Sequence, residues 1–191
     1  MRLLGTITPD RPLLVVAVRE EAAHLGERLP VLLTGMGKIN AAASLATVLA
    51  RGPHPSEVVN LGTAGALRPG LAGGTHEIAR VLQHDIDTPV LRELTGRSYG
   101  EAITLADGDG LTLATGDLFV SDPDARDRLA READLVDMEG YALVTVARGA
   151  GVPVRLVKHV SDEAGDGAAR TWRESVDGCA KILAAWADDR L

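Results

Sequence analysis

VLLTGMGKINAAASLATVLARGP, residues 31–53, reads as one complete β-α unit. Val31 to Thr34 is an apolar run too short for a helix and bounded by glycine, which is the signature of a buried strand. Gly35-Met36-Gly37-Lys38 turns the chain, Ile39 to Leu49 is rich in Ala and Leu and reads as a helix, and Gly52-Pro53 stops it. Upstream, LLVVAV (13–18) is a second buried strand that ends in Arg19-Glu20-Glu21. Downstream, Glu57 to Leu61 is a third strand, closed by Gly62-Thr63-Ala64-Gly65. Strands separated by a helix argue for an α/β sheet that is largely parallel in its core.

The rest of the chain continues this alternation. Strands are expected over 75–82, 101–105, 111–114, 135–138 and 154–160. Helices are expected over 123–131, with Asp122 as its cap, over 139–149 and over 168–188. In the last helix Trp172, Val176, Cys179, Ile182, Leu183 and Trp186 fall near helical spacing. The stretch from 66 to 114 shows strands with little helix between them, so the sheet is expected to be mixed there. Residues 68–74 and 85–100 read as flexible loops. The whole, residues 1–191, is expected to be one α/β domain, a three-layer sandwich around a mixed central sheet.

Bulk composition narrows the function classes. Hydrophobic residues make up 46% and charged residues 25% of the 191, an ordinary globular balance with enough apolar content for one core. The net charge of -7, without a basic stripe, speaks against nucleic acid or an anionic membrane as partner. A nucleoside, which carries little charge, is not excluded. The single cysteine, Cys179, rules out an internal disulfide and a Cys-rich zinc site, and the scattered histidines offer no ligand spacing. No apolar run approaches a membrane span or a signal peptide, so a cytoplasmic protein with neither metal nor cofactor is the simplest expectation.

In an open α/β sheet, ligands bind beyond the C-terminal ends of the strands. Five such ends here carry polar or glycine-rich residues: 19–21, 35–38, 62–65, 137–139 and 161–162. Each has a purely structural reading as well. Glu21 and Glu139 could be first-turn acids that favour a helix dipole, and Asp162 could cap a turn. Neither glycine motif has the spacing of a P-loop or a dinucleotide fingerprint. Phe119 and Trp172 could be core aromatics, and Lys38 reads as a solvated residue in a helix first turn.

The order of the pieces goes further. AVREEA (17–22), GMGKINAA (35–42), VVNLGTAGAL (58–67), HDID (84–87), ATGDLFV (114–120), VDMEGYAL (136–143) and VKHVSDEAG (157–165) follow one another as in the nucleoside phosphorylase/nucleosidase superfamily. The chain resembles most closely its hydrolase branch, the methylthioadenosine/S-adenosylhomocysteine nucleosidases and futalosine hydrolases. The resemblance implies hydrolysis of the N-glycosidic bond of a 5′-modified purine nucleoside. Asp162 matches the general acid toward purine N7, with Ser161 before it. Glu21 matches the carboxylate that activates water. Glu139 matches the residue binding the ribose hydroxyls, over Met138. Phe119 matches the aromatic stacked on the base, and Val120 the residue whose backbone reads the purine edge. Thr63, Ala64 and Gly65 match the turn beside water and sugar, while Met36 and Trp172 fall in the pocket for the 5′ substituent. A homodimer is implied as well.

Such a reaction builds positive charge on the ribose and negative charge on the departing base. An acid able to hold its proton near neutrality and a second carboxyl to activate water answer those needs, as in glycoside hydrolysis. A phosphorylase would need arginine for bidentate phosphate contacts, and the position before the GTAG segment is Asn60, as in the hydrolases. The alternatives are a futalosine-type hydrolase, a nucleoside phosphorylase, and a nucleoside-binding protein without turnover. The chain departs from the family in the shortened 23–34 segment, which implies incomplete closure of a barrel-like core, and in a compressed 85–100 region. It departs too in Gln83 where an aromatic is usual and in Lys158-His159 where an arginine-containing pair is usual. Residues 1–11 have no counterpart.

Overall fold

A computed structural model describes residues 1–105 and 110–191. It contains nine strands in one mixed sheet and five α-helices among those residues. The opening β-α unit forms as its residues predict. Strand β2 (Leu13–Val16) and strand β3 (Val31–Leu33) pair in parallel, and helix α1 (Lys38–Arg51) follows. Gly37 precedes α1 at φ 91, a backbone region only glycine enters without strain. Without a side-chain cap at Gly37, Asn40 and Ser44 hold the entry by donating to the carbonyls of Met36 and Thr34.

Alternation along the strands sorts the core into two faces. Leu13, Val15, Leu32 and Val58 pack under α1 and helix α4 (Gly140–Gly149). Their neighbours Leu14, Val16, Val31, Leu33 and Val59 face the other way, toward Leu183 and Ala187 of helix α5 (Ala168–Arg190). Two helices on one face and one on the other give the three-layer arrangement. Each fully buried Leu or Val contributes about 1.5–3 kcal/mol relative to exposure, and Leu13, Val15, Leu45 and Leu183 are all 0% exposed.

The longest strands organise the far half. Strand β4 (Val58–Ala66) runs parallel to strand β9 (Val154–Asp162), with Gly62 opposite Lys158 and Gly65 opposite Asp162. β9 pairs with strand β5 (Thr75–Gln83), β5 with strand β7 (Leu111–Thr115), and β7 with strand β8 (Leu135–Asp137). β8 returns to the end of β4, so five strands close into a ring. The closed ring corrects the expectation of an incomplete barrel: the short 23–34 segment lies outside it.

Three further expectations are corrected. Gly62 to Gly65 is no turn; β4 continues through it to Ala66, because β9 partners it as far as Gly65 and β8 pairs with Gly65 and Ala66. The supposed loop 85–100 contains helix α2 (Thr88–Thr95), capped by the Asp87 side chain and ended by Gly96 in the left-handed region. Residues 101–105 yield only strand β6 (Ile103–Thr104). Strand β1 (Arg2–Leu4), in the stretch without a counterpart, covers the edge of β3 in antiparallel register. Helix α3 (Pro123–Leu129) forms with Asp122 as cap, its side chain accepting from Ala125 N–H at 2.7 Å. No helix among the described residues is long and apolar enough to cross a membrane.

Candidate active site

The C-terminal ends of the central strands open onto a cleft of about 260 Å³, and all twelve residues singled out in the sequence line it. The turn after β2 contributes Glu21, and the turn before α1 contributes Met36. β4 supplies Thr63, Ala64 and Gly65, and the segment after β7 supplies Phe119 and Val120. Met138 and Glu139 follow β8, Ser161 and Asp162 end β9, and Trp172 comes from the second turn of α5. Leu118, Arg173, Ala17 and Ala169 line the cleft too and were not anticipated.

Four carboxyl groups lining the cleft are buried; the three singled out in the sequence, Glu21, Glu139 and Asp162, are 5, 7 and 7% exposed, and the fourth is Asp137. Glu21 lies in a run of turns after β2, not in a helix. Its Oε1 accepts from the Thr63 N–H and the Thr63 hydroxyl, both at 2.7 Å. Glu139 Oε1 accepts from Gly37 N–H at 2.7 Å, which ties it to the start of α1. Asp162 accepts from the Ser161 hydroxyl at 2.8 Å and from Ala164 N–H at 2.9 Å. The second bond is the turn-capping role that the sequence also allowed, so that reading and the functional one coexist.

The environment pushes two of these groups toward their protonated forms. Burial raises the Asp162 carboxyl above the ordinary aspartate range, against the opposing bonds from Ser161 and Ala164. Glu139 is pushed up to about 8, first by burial, then by the negative charge of Asp137, with Glu21 adding to it. Lys158 and the Gly37 N–H act in the opposite direction.

Beneath the carboxyls lies Lys158, which the sequence marked only as a departure from the family's arginine-containing pair. Lys158, 1% exposed, donates to Asp137 at 2.8 Å, and Asp137 is equally buried. Burial alone would depress the lysine, but the charges of Asp137, Glu139 and Glu21 more than offset it and raise it. Asp137 also accepts from the Thr115 hydroxyl at 2.6 Å and from Gly140 N–H at 2.8 Å. Gly62 makes room for the ammonium: a Cβ there would stand 3.2 Å from Lys158 Nζ and 3.6 Å from Glu21 Oε1. The signal was available, since a lysine inside VRLVKHV can reach no water if that strand is central.

Lys38 also departs from its solvated reading. Its side chain is 17% exposed, bonded to Asp85 at 2.5 Å and near Asp117 at 3.8 Å. Asp117 in turn accepts from Lys38 N–H at 2.8 Å and donates its own N–H to Asp85 at 2.9 Å. The segment bearing Phe119 is thereby tied to the turn bearing Met36. Asn60 is buried, its amide donating to Val15 C=O at 3.0 Å.

The raised Glu139 has a consequence for stability. The unfolded glutamate releases its proton in the ordinary range, while the folded one keeps it until about pH 8. Its stabilising contribution is therefore complete below the ordinary glutamate range and is lost as pH rises through about 8. Glu139→Gln, which mimics the protonated form, should gain stability over wild type from pH 5 to pH 8. Thermal melts of both proteins across that range check this; a constant difference would show that Glu139 is ionised throughout.

Comparison with known proteins places this geometry in context. The family model of the Phosphorylase superfamily matches residues 18–110 and 101–187. A 5′-methylthioadenosine/S-adenosylhomocysteine nucleosidase of Marinomonas sp. (strain MWYL1) is 30% identical, over 78% of this chain and 74% of its own length. The nucleosidase of the same description from Bacillus subtilis (strain 168) is 32% identical, over 73% of this chain and 70% of its own. Among solved structures, a futalosine hydrolase mutant of Helicobacter pylori superposes with a TM-score of 0.82 at 20% identity, covering 95% of this chain and 100% of that one. A Helicobacter pylori 5′-methylthioadenosine/S-adenosylhomocysteine nucleosidase complexed with a substituted pyrrolidin-3-ol gives the same TM-score and identity, with 95 and 97% covered. At that identity the structures speak for the fold alone.

Proposed function

The chain belongs to the phosphorylase superfamily, and on that premise we propose that it is a purine nucleosidase hydrolysing the N-glycosidic bond of a 5′-modified purine nucleoside. The observation that carries the reading is the convergence of Glu21, Glu139 and Asp162 on one cleft. Asp162, its carboxyl raised by burial, protonates the purine as the bond breaks. Glu139 holds the ribose hydroxyls with Met138 beneath the sugar, and Glu21 takes the proton of the attacking water. Phe119 and Val120 hold the base, while Met36 and Trp172 border the 5′ substituent. Thr63, Ala64 and Gly65 line the side where water and sugar meet, with Ser161 bonded to the acid. Water is favoured over phosphate, because Asn60, at the position before the GTAG segment, is no arginine and its amide is committed to the Val15 carbonyl.

The relatives at 30 and 32% identity are named for methylthioadenosine and S-adenosylhomocysteine, and these are the first substrates to consider. A second reading has a specific observation in its favour. Arg173 is the one basic residue among the described residues lining the cleft, and it suits a 5′ substituent bearing a carboxylate, as in S-adenosylhomocysteine or futalosine. Incubation with methylthioadenosine, S-adenosylhomocysteine, adenosine, inosine and futalosine, with and without phosphate, tests the whole. Free base released without phosphate is the expected result. Release only with phosphate would make the protein a phosphorylase, and no release from any of them would leave a binding protein.

A homodimer is also proposed. Met36, Ile39, Leu118 and Phe119 are 46, 80, 72 and 46% exposed, and Lys38, Asp85 and Asp117 tie together the segments that carry them. Helix α2 beside Asp85 adds Val90 and Leu94 at 45 and 74% and has no buried residue. Apolar exposure on this scale at a cleft mouth fits a second copy of the chain. Sedimentation should give twice the 20.0 kDa chain mass; a monomer at all concentrations would refute the dimer.

A further inference from the structure

Trp172 makes one contact that a wall of a substituent pocket does not require. Its indole Nε1–H donates to the Thr63 hydroxyl oxygen at 2.9 Å. That same hydroxyl lies 2.7 Å from Glu21 Oε1, and the Thr63 N–H reaches the same oxygen at 2.7 Å. An indole N–H can only donate, and an ionised carboxylate can only accept. The Thr63 hydroxyl therefore has a single consistent direction: it accepts from Trp172 and gives its own proton to Glu21. Both bonds that Glu21 accepts among the described residues then fall on Oε1, and its second oxygen is left for the cleft.

We propose that Trp172 is a positioning residue for Glu21, acting through Thr63 to fix which carboxylate oxygen meets water. Glu21 sits in a run of turns closed by i to i+3 bonds, Ala22 N–H to Arg19 C=O and Ala23 N–H to Glu20 C=O, and not in a regular helix, and its carboxyl takes its partners from outside that run. The orientation comes from β4 through Thr63 and from α5 through Trp172, two elements anchored in the core by Val59, Leu61 and Leu183. Polarising the hydroxyl from one side also strengthens the bond it donates on the other. The residue bordering the 5′ substituent thus also sets the group that activates water. This inference rests on the nucleosidase reading, in which Glu21 is the base.

Trp172→Phe keeps an aromatic wall, smaller by the five-membered ring, and removes the donor. Its kcat should fall about tenfold while KM stays within about twofold, the size of one lost charge-directed hydrogen bond. Thr63→Val should do the same, and the double variant should be no worse than either single one, since both break one chain. A rise in KM with unchanged kcat in Trp172→Phe would overturn the proposal and leave Trp172 as pocket wall only. A second measurement does not depend on turnover. The indole N–H resonance of Trp172, identified by its loss in Trp172→Phe, should move upfield and exchange faster in Thr63→Val. It should stay in place in Thr63→Ser, which keeps the hydroxyl. An indole resonance indifferent to Thr63→Val overturns the proposal even if no nucleoside is cleaved. Absence of turnover in wild type with the expected indole shift would instead sink the nucleosidase reading and leave the hydrogen-bond chain standing.

Discussion

Asp162→Asn should lower kcat by about 10²–10⁴-fold, the usual worth of a general acid, with KM nearly unchanged. The substitution isolates proton transfer from structure. Asn keeps an oxygen for the Ala164 N–H now bonded at 2.9 Å, so the turn after β9 survives. The Ser161 hydroxyl loses its partner at 2.8 Å but has the Ala64 carbonyl at 3.4 Å as an alternative. An amide N–H can still donate to a purine nitrogen, which preserves affinity, yet it cannot surrender a proton. Burial keeps the wild-type carboxyl protonated further up the pH scale than an exposed aspartate. Steady-state kinetics beside a thermal melt check the prediction. Full turnover in a well-folded Asp162→Asn protein would remove Asp162 from the mechanism.

The largest effect on stability is expected at Lys158. Lys158→Met should cost about 3–5 kcal/mol, because it leaves Asp137 as a buried charge without its counter-ion. Both side chains are 1% exposed, so water cannot replace the lost partner. For a domain of this size the loss corresponds to a melting temperature lower by about 10 °C. Adding Asp137→Asn to Lys158→Met should recover part of it, since the double variant no longer buries an uncompensated charge. Melting curves of the three proteins decide the matter. A Lys158→Met protein as stable as wild type would mean that Asp137 takes up a proton at little cost. The pair also bears on the site, because Lys158 is the main charge opposing the rise of Glu139.

Much of this was legible from sequence, for reasons that differ between elements. The strands 13–16 and 31–33 were readable because each is buried among apolar neighbours, which leaves continuous apolar runs, and 154–160 because Val154, Leu156, Val157 and Val160 recur after the Gly151-Val152-Pro153 turn. Helix α1 was readable because Ala41, Leu45, Val48 and Leu49 recur at helical spacing on its buried side. The twelve cleft residues came from the order of short motifs, each of which is weak alone. Helix α2 was missed because it buries nothing, so no periodic apolar stripe marks it and only Asp87, Pro89 and Gly96 punctuate it. β1 escaped for a similar reason: its three residues are all exposed, and what makes it a strand is the edge of β3.

By itself the sequence determined the α/β class, the order of the elements and the identity of the side chains at the strand ends, since local periodicity and punctuation depend only on neighbours along the chain. Tertiary structure alone decided whether glycines 62 and 65 turn the chain or let it pass close to Lys158 and Asp162. It alone also decided whether Lys38 and Lys158 meet water or carboxylates. Those outcomes depend on segments distant in the chain: β4 lies beside β9 with paired positions 96 or 97 residues apart, Lys158 meets Asp137 of β8, and Lys38 meets Asp85 and Asp117. The charge state of Glu139 belongs to the same class, because burial and the charges of Asp137, Lys158 and Glu21 exist only after those segments have met.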